Sequence, residues 1–92
     1  MIGLDTNVLV RYLAQDDRRQ SAAATRLIEA LTVEEPGFIA HATLVELAWV
    51  LESCYDATRA TVRDTLNDLL RTRTLRLQDA EDVARALRVF AD

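Results

Sequence analysis

The sequence predicts an α/β fold built on a short parallel sheet. Three observations carry that expectation. Short apolar stretches bounded by turn-forming residues alternate with longer segments whose apolar residues recur every three or four positions. The connections between the short stretches are long enough for helical crossovers, which parallel strands require. Ninety-two residues, half of them hydrophobic and 28% charged, allow one domain with a small core.

Met1 to Leu4 reads as a short buried strand that ends at Asp5. From Asn7, the positions Val8, Leu9, Tyr12 and Leu13 have helical spacing. A polar break, AQDDRRQ, separates this helix from a second one carrying Ala23, Ala24, Leu27, Ile28 and Leu31, with Asp16 or Asp17 placed to cap it. The turn EEPG holds the only proline, Pro36, and leads into a second strand at Phe38-Ile39-Ala40. A third helix is expected from Ala42 or Thr43 to about Ser53. Thr58 is placed to cap a fourth, whose inward positions are Val62, Leu66, Leu69 and Leu70. Thr74 to Leu77 alternates like a strand, with Leu75 and Leu77 on one side and Arg76 on the other. Asp79 is expected to cap a last helix carrying Ala80, Val83, Leu87 and Phe90 inward. The chain has no internal repeat, low-complexity stretch or linker.

Composition narrows the function classes. No run is apolar and long enough to span a membrane, and the N-terminus lacks the basic and apolar regions of a secretory signal. The single cysteine, Cys54, excludes an internal disulfide and leads us to expect a reducing, cytoplasmic setting. One cysteine and one histidine make no zinc cluster. A net charge of −4 is not that of a typical nucleic-acid binder. All eleven basic residues are arginines. Arg71, Arg73 and Arg76 form a late cluster, read first as a solvated face and second as a set of phosphate contacts.

The chemistry lies in two carboxylates. Asp5 stands between two apolar segments, at the carboxyl end of the first predicted strand, where ligands of open parallel sheets bind. It is also placed to cap the helix that follows. The segment HATLVELAWVLES is apolar on nearly every side, which predicts a buried helix with Trp49 in the core. Glu46 projects from it, one helical turn past the second strand. Two carboxylates meeting at one sheet edge repel unless a cation neutralises them, and hard oxygen ligands suit Mg²⁺ or Mn²⁺. Glu52, nearer the helix end, is a weaker candidate. His41 is expected to be a partly buried structural residue and Tyr12 a core residue.

LDTNVLVRYL, followed about forty residues later by FIAHATLVELAWVL, resembles the PIN-domain family, and most closely its VapC-type toxins of bacterial toxin–antitoxin pairs. The resemblance implies a three-layer α/β/α fold and an Mg²⁺- or Mn²⁺-dependent endoribonuclease, acting on RNA and neutralised by a cognate antitoxin protein. It assigns Asp5 as the first acidic metal ligand, Glu46 as the second, and Asn7 as a polar residue bordering the catalytic site, with Thr6 and Thr43 in similar roles. Family members run on through two more strands that carry further acidic ligands. Residues 1–92 are therefore expected to form a single PIN-like domain, the N-terminal part of the family fold, with the last strands missing. Asp92 falls too early in the pattern to serve as the third ligand. The alternative expectation is a catalytically inactive PIN fragment acting as a protein-interaction module. An aspartyl-phosphate enzyme built on Asp5 is disfavoured, because Asn7 stands where such enzymes carry a second Asp. An open first-strand edge and uncovered apolar faces lead us to expect a homodimer.

Overall fold

The computed structural model describes residues 1–90 and contains five helices and three strands in the order β1 (Ile2–Gly3), α1 (Thr6–Ala14), α2 (Arg18–Glu29), β2 (Gly37–Ile39), α3 (His41–Cys54), α4 (Arg59–Arg71), β3 (Leu75–Leu77) and α5 (Ala80–Val89). The strands form one parallel sheet in the order β1-β2-β3. Ile2 pairs with Gly37, and Phe38 pairs with Arg76. This is the α/β fold with a short parallel sheet that the sequence predicts, and it is consistent with a PIN-like architecture. Asp92 lies outside the described residues.

Local signals account for most helix starts. The Asp17 side chain accepts from the Gln20 amide and starts α2. Thr58 Oγ1 accepts from the Thr61 amide at 3.0 Å and starts α4. Each satisfies one of the amides that a helix start leaves without an intrahelical partner. At the end of α1, Gln15 takes the left-handed conformation (φ 54°) and its side-chain amide donates to Tyr12 O and Thr25 Oγ1, which ties α1 to α2. Asp79 departs from expectation. It precedes α5 in the left-handed conformation (φ 54°), its side chain makes no cap hydrogen bond, and its carbonyl accepts from the Val83 amide.

The core is largely leucine. Leu9, Ile39, Leu47 and Val62 are fully buried, drawn from α1, β2, α3 and α4, and Leu75, Leu77, Val83 and Leu87 extend the cluster toward β3 and α5. The central strand is pinned by Gly37. A Cβ there would meet the side chains of Leu4, Leu31 and Leu75 at 2.8, 2.9 and 3.1 Å, so the three leucines close over the backbone.

Two expectations about burial are corrected. The first strand is exposed at Ile2 and Gly3, and only Leu4 is buried, because β1 is an edge strand with a neighbour on one side alone. The third helix is not buried all round. Leu44, Leu47 and Leu51 face the core, whereas Val45 and Trp49 are 60% and 64% exposed. Its neighbours α1 and α4 cover the leucine face and leave the rest to solvent. No helix among the described residues is long and apolar enough to cross a membrane.

Candidate active site

The three strands are parallel, so their carboxyl ends share one edge, and the chain leaves that edge at Asp5, Ala40 and Gln78. The Gln78 side chain accepts the His41 amide at 2.8 Å, so the end of β3 holds the first turn of α3 at this edge. His41 itself is exposed rather than structural.

Asp5 occupies the N-cap of α1, and its Oδ1 accepts from the Val8 amide at 2.9 Å. The capping role is thus real, and it engages one oxygen. The residue beside it, Thr6, donates its hydroxyl to Glu46 Oε1. That bond spans forty residues of sequence and places the second predicted carboxylate against the first turn of the helix that Asp5 caps. Both carboxylates are exposed, not enclosed in apolar surroundings. Water therefore stabilises their charge without a cation, and the expected need for a neutralising partner does not arise from burial.

A cleft of about 420 Å³ runs between α1 and α3 next to this contact. Thr6, Asn7 and Arg11 line one side; Glu46, Trp49 and Tyr55 line the other. Asn7 is where the sequence places it, on the cleft wall. Thr43 is half-buried on α3 outside this lining, and Glu52 is exposed outside it too. Arg11 and Tyr55 were not legible as site residues. Position offers a weak signal for Arg11, which lies four residues after Asn7 on the same helix face. Arg11 Nη1 lies 3.5 Å from Asp16 Oδ1, while its buried Nε has no hydrogen-bond partner. Tyr55 donates its hydroxyl to Asp16 Oδ2 at 2.7 Å, and this bond holds the Asp16 carboxyl below its ordinary value and pushes the Tyr55 hydroxyl up.

Arg71 and Arg73 precede β3, at the amino edge of the sheet and outside the lining of the cleft, and are exposed as a solvated face would be. Arg76 donates to the Arg73 carbonyl at 2.9 Å.

The donor set fits a hard cation sparingly. Among the described residues there is no group of three or more His, Cys, Asp or Glu side chains able to hold a metal. Asp5 and Glu46 each keep one oxygen free of protein hydrogen bonds. Two carboxylate oxygens, with water and substrate phosphate, are within the range that Mg²⁺ uses.

A family model described as PIN domain matches residues 2–92. Comparison with curated proteins and with solved structures returned no match.

Proposed function

The chain belongs to the PIN domain family, a family generally of nucleases, and from that premise we propose that it is a divalent-metal-dependent endoribonuclease of the VapC toxin type. The observation that supports this reading most is the hydrogen bond from Thr6 to Glu46, beside Asp5, at the carboxyl edge of the sheet. In this proposal Asp5 and Glu46 would hold Mg²⁺ or Mn²⁺, which would supply Lewis-acid polarisation of a phosphodiester and activation of water for its hydrolysis. Thr6 holds the Glu46 carboxylate in place through its hydroxyl. Asn7, on the cleft wall, offers an amide that donates to a substrate oxygen.

Asp5→Asn and Glu46→Gln test the assignment with little structural cost. Asparagine caps helices as well as aspartate does, so α1 keeps its start. Glutamine keeps an oxygen for Thr6. Each variant removes one charge and should reduce Mg²⁺-dependent cleavage of an RNA by more than the roughly 10- to 100-fold typical of outer-shell changes. Wild-type levels of cleavage in either variant would remove that carboxylate from the site. A protein that folds but cleaves no RNA with Mg²⁺ or Mn²⁺ would favour the interaction-module reading.

The toxin role, neutralisation by a cognate antitoxin and a homodimer paired along β1 belong to the same proposal, supported by the sequence resemblance and by the exposed edge of β1. Growth arrest on expression, abolished by Asp5→Asn, is the expected cellular signature.

A further inference from the structure

Among the described residues, two side-chain hydrogen bonds join the walls of the cleft, and they stand at its opposite ends. Near the sheet edge Thr6, in the first turn of α1, donates to Glu46 of α3. Roughly 13 Å further along α3, Tyr55 at the end of that helix donates to Asp16, just past the end of α1. The two helices otherwise share the buried core, with Leu9 and Val10 from α1 and Leu47 and Leu51 from α3. Apolar burial is non-directional, so it holds helices together without fixing the angle between them. A hydrogen bond weakens steeply away from its preferred direction. With the Thr6–Glu46 bond alone, α3 is free to pivot about it; the Tyr55–Asp16 bond at the far end removes that freedom.

Both partners of the far bond are themselves anchored. Asp16 stands between Gln15, whose side chain donates to Tyr12 O and Thr25 Oγ1, and Asp17, which caps α2. Its second oxygen lies 3.5 Å from Arg11 Nη1, so a guanidinium of α1 steadies the carboxylate. Tyr55 is the C-cap of α3. The next residue, Asp56, is left-handed (φ 54°), and the Ala57 amide closes back on the Leu51 carbonyl at 3.0 Å. The bond between them, at 2.7 Å, lowers the Asp16 carboxyl and raises the Tyr55 hydroxyl, which keeps the pair charged and neutral respectively around neutral pH. Such a charge-assisted bond is stronger than one between neutral groups.

We propose that Tyr55 is a positioning residue for the candidate metal site: through its bond to Asp16 it fixes the angle of α3 against α1 and keeps Glu46 at Thr6, beside Asp5. This rests on the nuclease reading above and adds to it a group, remote from both carboxylates, that governs how well the pair holds a cation.

The coupling is tested without metal by a double-mutant cycle on the full chain. Unfolding in denaturant is followed by the emission of Trp49, the only tryptophan. Thr6→Val and Tyr55→Phe each remove one hydroxyl donor. Sites more than about 7–10 Å apart normally contribute additively. Two bonds that set one helix angle do not: losing either already weakens the other, so the double variant should lose less stability than the two single variants together. The consequence for the site is read from Mn²⁺ binding, by electron paramagnetic resonance, under conditions where every variant is folded. Tyr55→Phe and Asp16→Ala should each weaken Mn²⁺ binding by about tenfold, the lower end for groups that orient a ligand. Asp16→Asn keeps an acceptor for the Tyr55 hydroxyl and should restore most of the affinity. Thr58→Ala, which weakens the start of α4, should leave Mn²⁺ affinity unchanged.

Additive losses in the cycle overturn the proposal, as does wild-type Mn²⁺ affinity in Tyr55→Phe. Equal weakening by Thr58→Ala also overturns it, because general softening of the fold would then explain the effect. The two readings fail separately. Additive losses in a protein that binds Mn²⁺ and cleaves RNA remove the role of Tyr55 and keep the nuclease. Non-additive losses in a protein that binds no Mn²⁺ and cleaves nothing keep the coupling of Tyr55 to Glu46 and remove the nuclease.

Discussion

Tyr55 and Asp16 meet across 39 positions of sequence, one just beyond α3 and the other between α1 and α2. The bond between them requires a protonated phenol and an ionised carboxylate. Hydrogen bonding from Tyr55 is the main cause of the lowered Asp16 pKa, with Arg11 contributing less and desolvation opposing. The same bond, more than desolvation, raises Tyr55. Asp16 therefore contributes stability that is complete above the ordinary carboxylate range and is lost as pH falls through its lowered value. Tyr55 contributes stability that is complete below the ordinary tyrosine value and is lost as pH rises through its raised one. Tyr55→Phe should move the Asp16 titration back up toward the ordinary range, as read by carboxyl NMR chemical shifts. An unmoved Asp16 titration would assign its shift to Arg11 instead.

At the scale of elements, helix starts and the central strand respond to different physics. Thr58 donates nothing to the core, yet its hydroxyl satisfies an amide of α4. Thr58→Ala should destabilise the protein by about 1 kcal/mol in chemical denaturation. Asp79 makes no such bond and sits at φ 54°, where glycine is unstrained. Asp79→Gly should consequently cost no more than about a few tenths of a kcal/mol. In β2 the constraint is space. Gly37→Ala forces the packed side chains of Leu4, Leu31 and Leu75 to move together, and should lower stability by about 1–2 kcal/mol despite alanine's smaller backbone entropy cost. Stability unchanged by that substitution would show that the leucines reorient freely.

The whole molecule has a leucine core and an open edge. Leu47 is fully buried at the centre of the cluster, and Leu47→Ala should cost about 2–5 kcal/mol through lost transfer energy and the cavity left behind. The edge is β1. The amides of Ile2 and Leu4 donate to Pro36 and Phe38, so the intervening Gly3 amide points away from the sheet, and nothing lies within 4 Å of where its Cβ would be. If two copies pair along β1, Gly3→Pro removes the amide they need while sparing the bonds to β2. Light scattering at micromolar concentration should then show the wild-type protein associating and Gly3→Pro monomeric. Equal association in both would place the contact elsewhere.

Much of this architecture is present in the order of residues. Apolar spacing located the five helices of the described residues, and Asp5, the Asp16–Asp17 pair and Thr58 marked three helix starts, because a cap acts on amides two or three residues away; the structure chose Asp17 of the pair. The same locality put Asp5 and Glu46 at one sheet edge: each follows a strand of a parallel sheet by a short, countable distance. Burial was a different matter. The apolar character of α3 recorded what its side chains are, whereas the exposure of Trp49 depended on which faces α1 and α4 cover. Likewise Ile2 is apolar but lies in a strand with one neighbour, a fact of sheet order rather than of composition. The contacts Thr6–Glu46 and Tyr55–Asp16 join residues 40 and 39 positions apart. Sequence pattern carries information over a helical turn or a strand; only the packing of α1 against α3 decided that these side chains meet, and that the cleft between them has an aromatic wall.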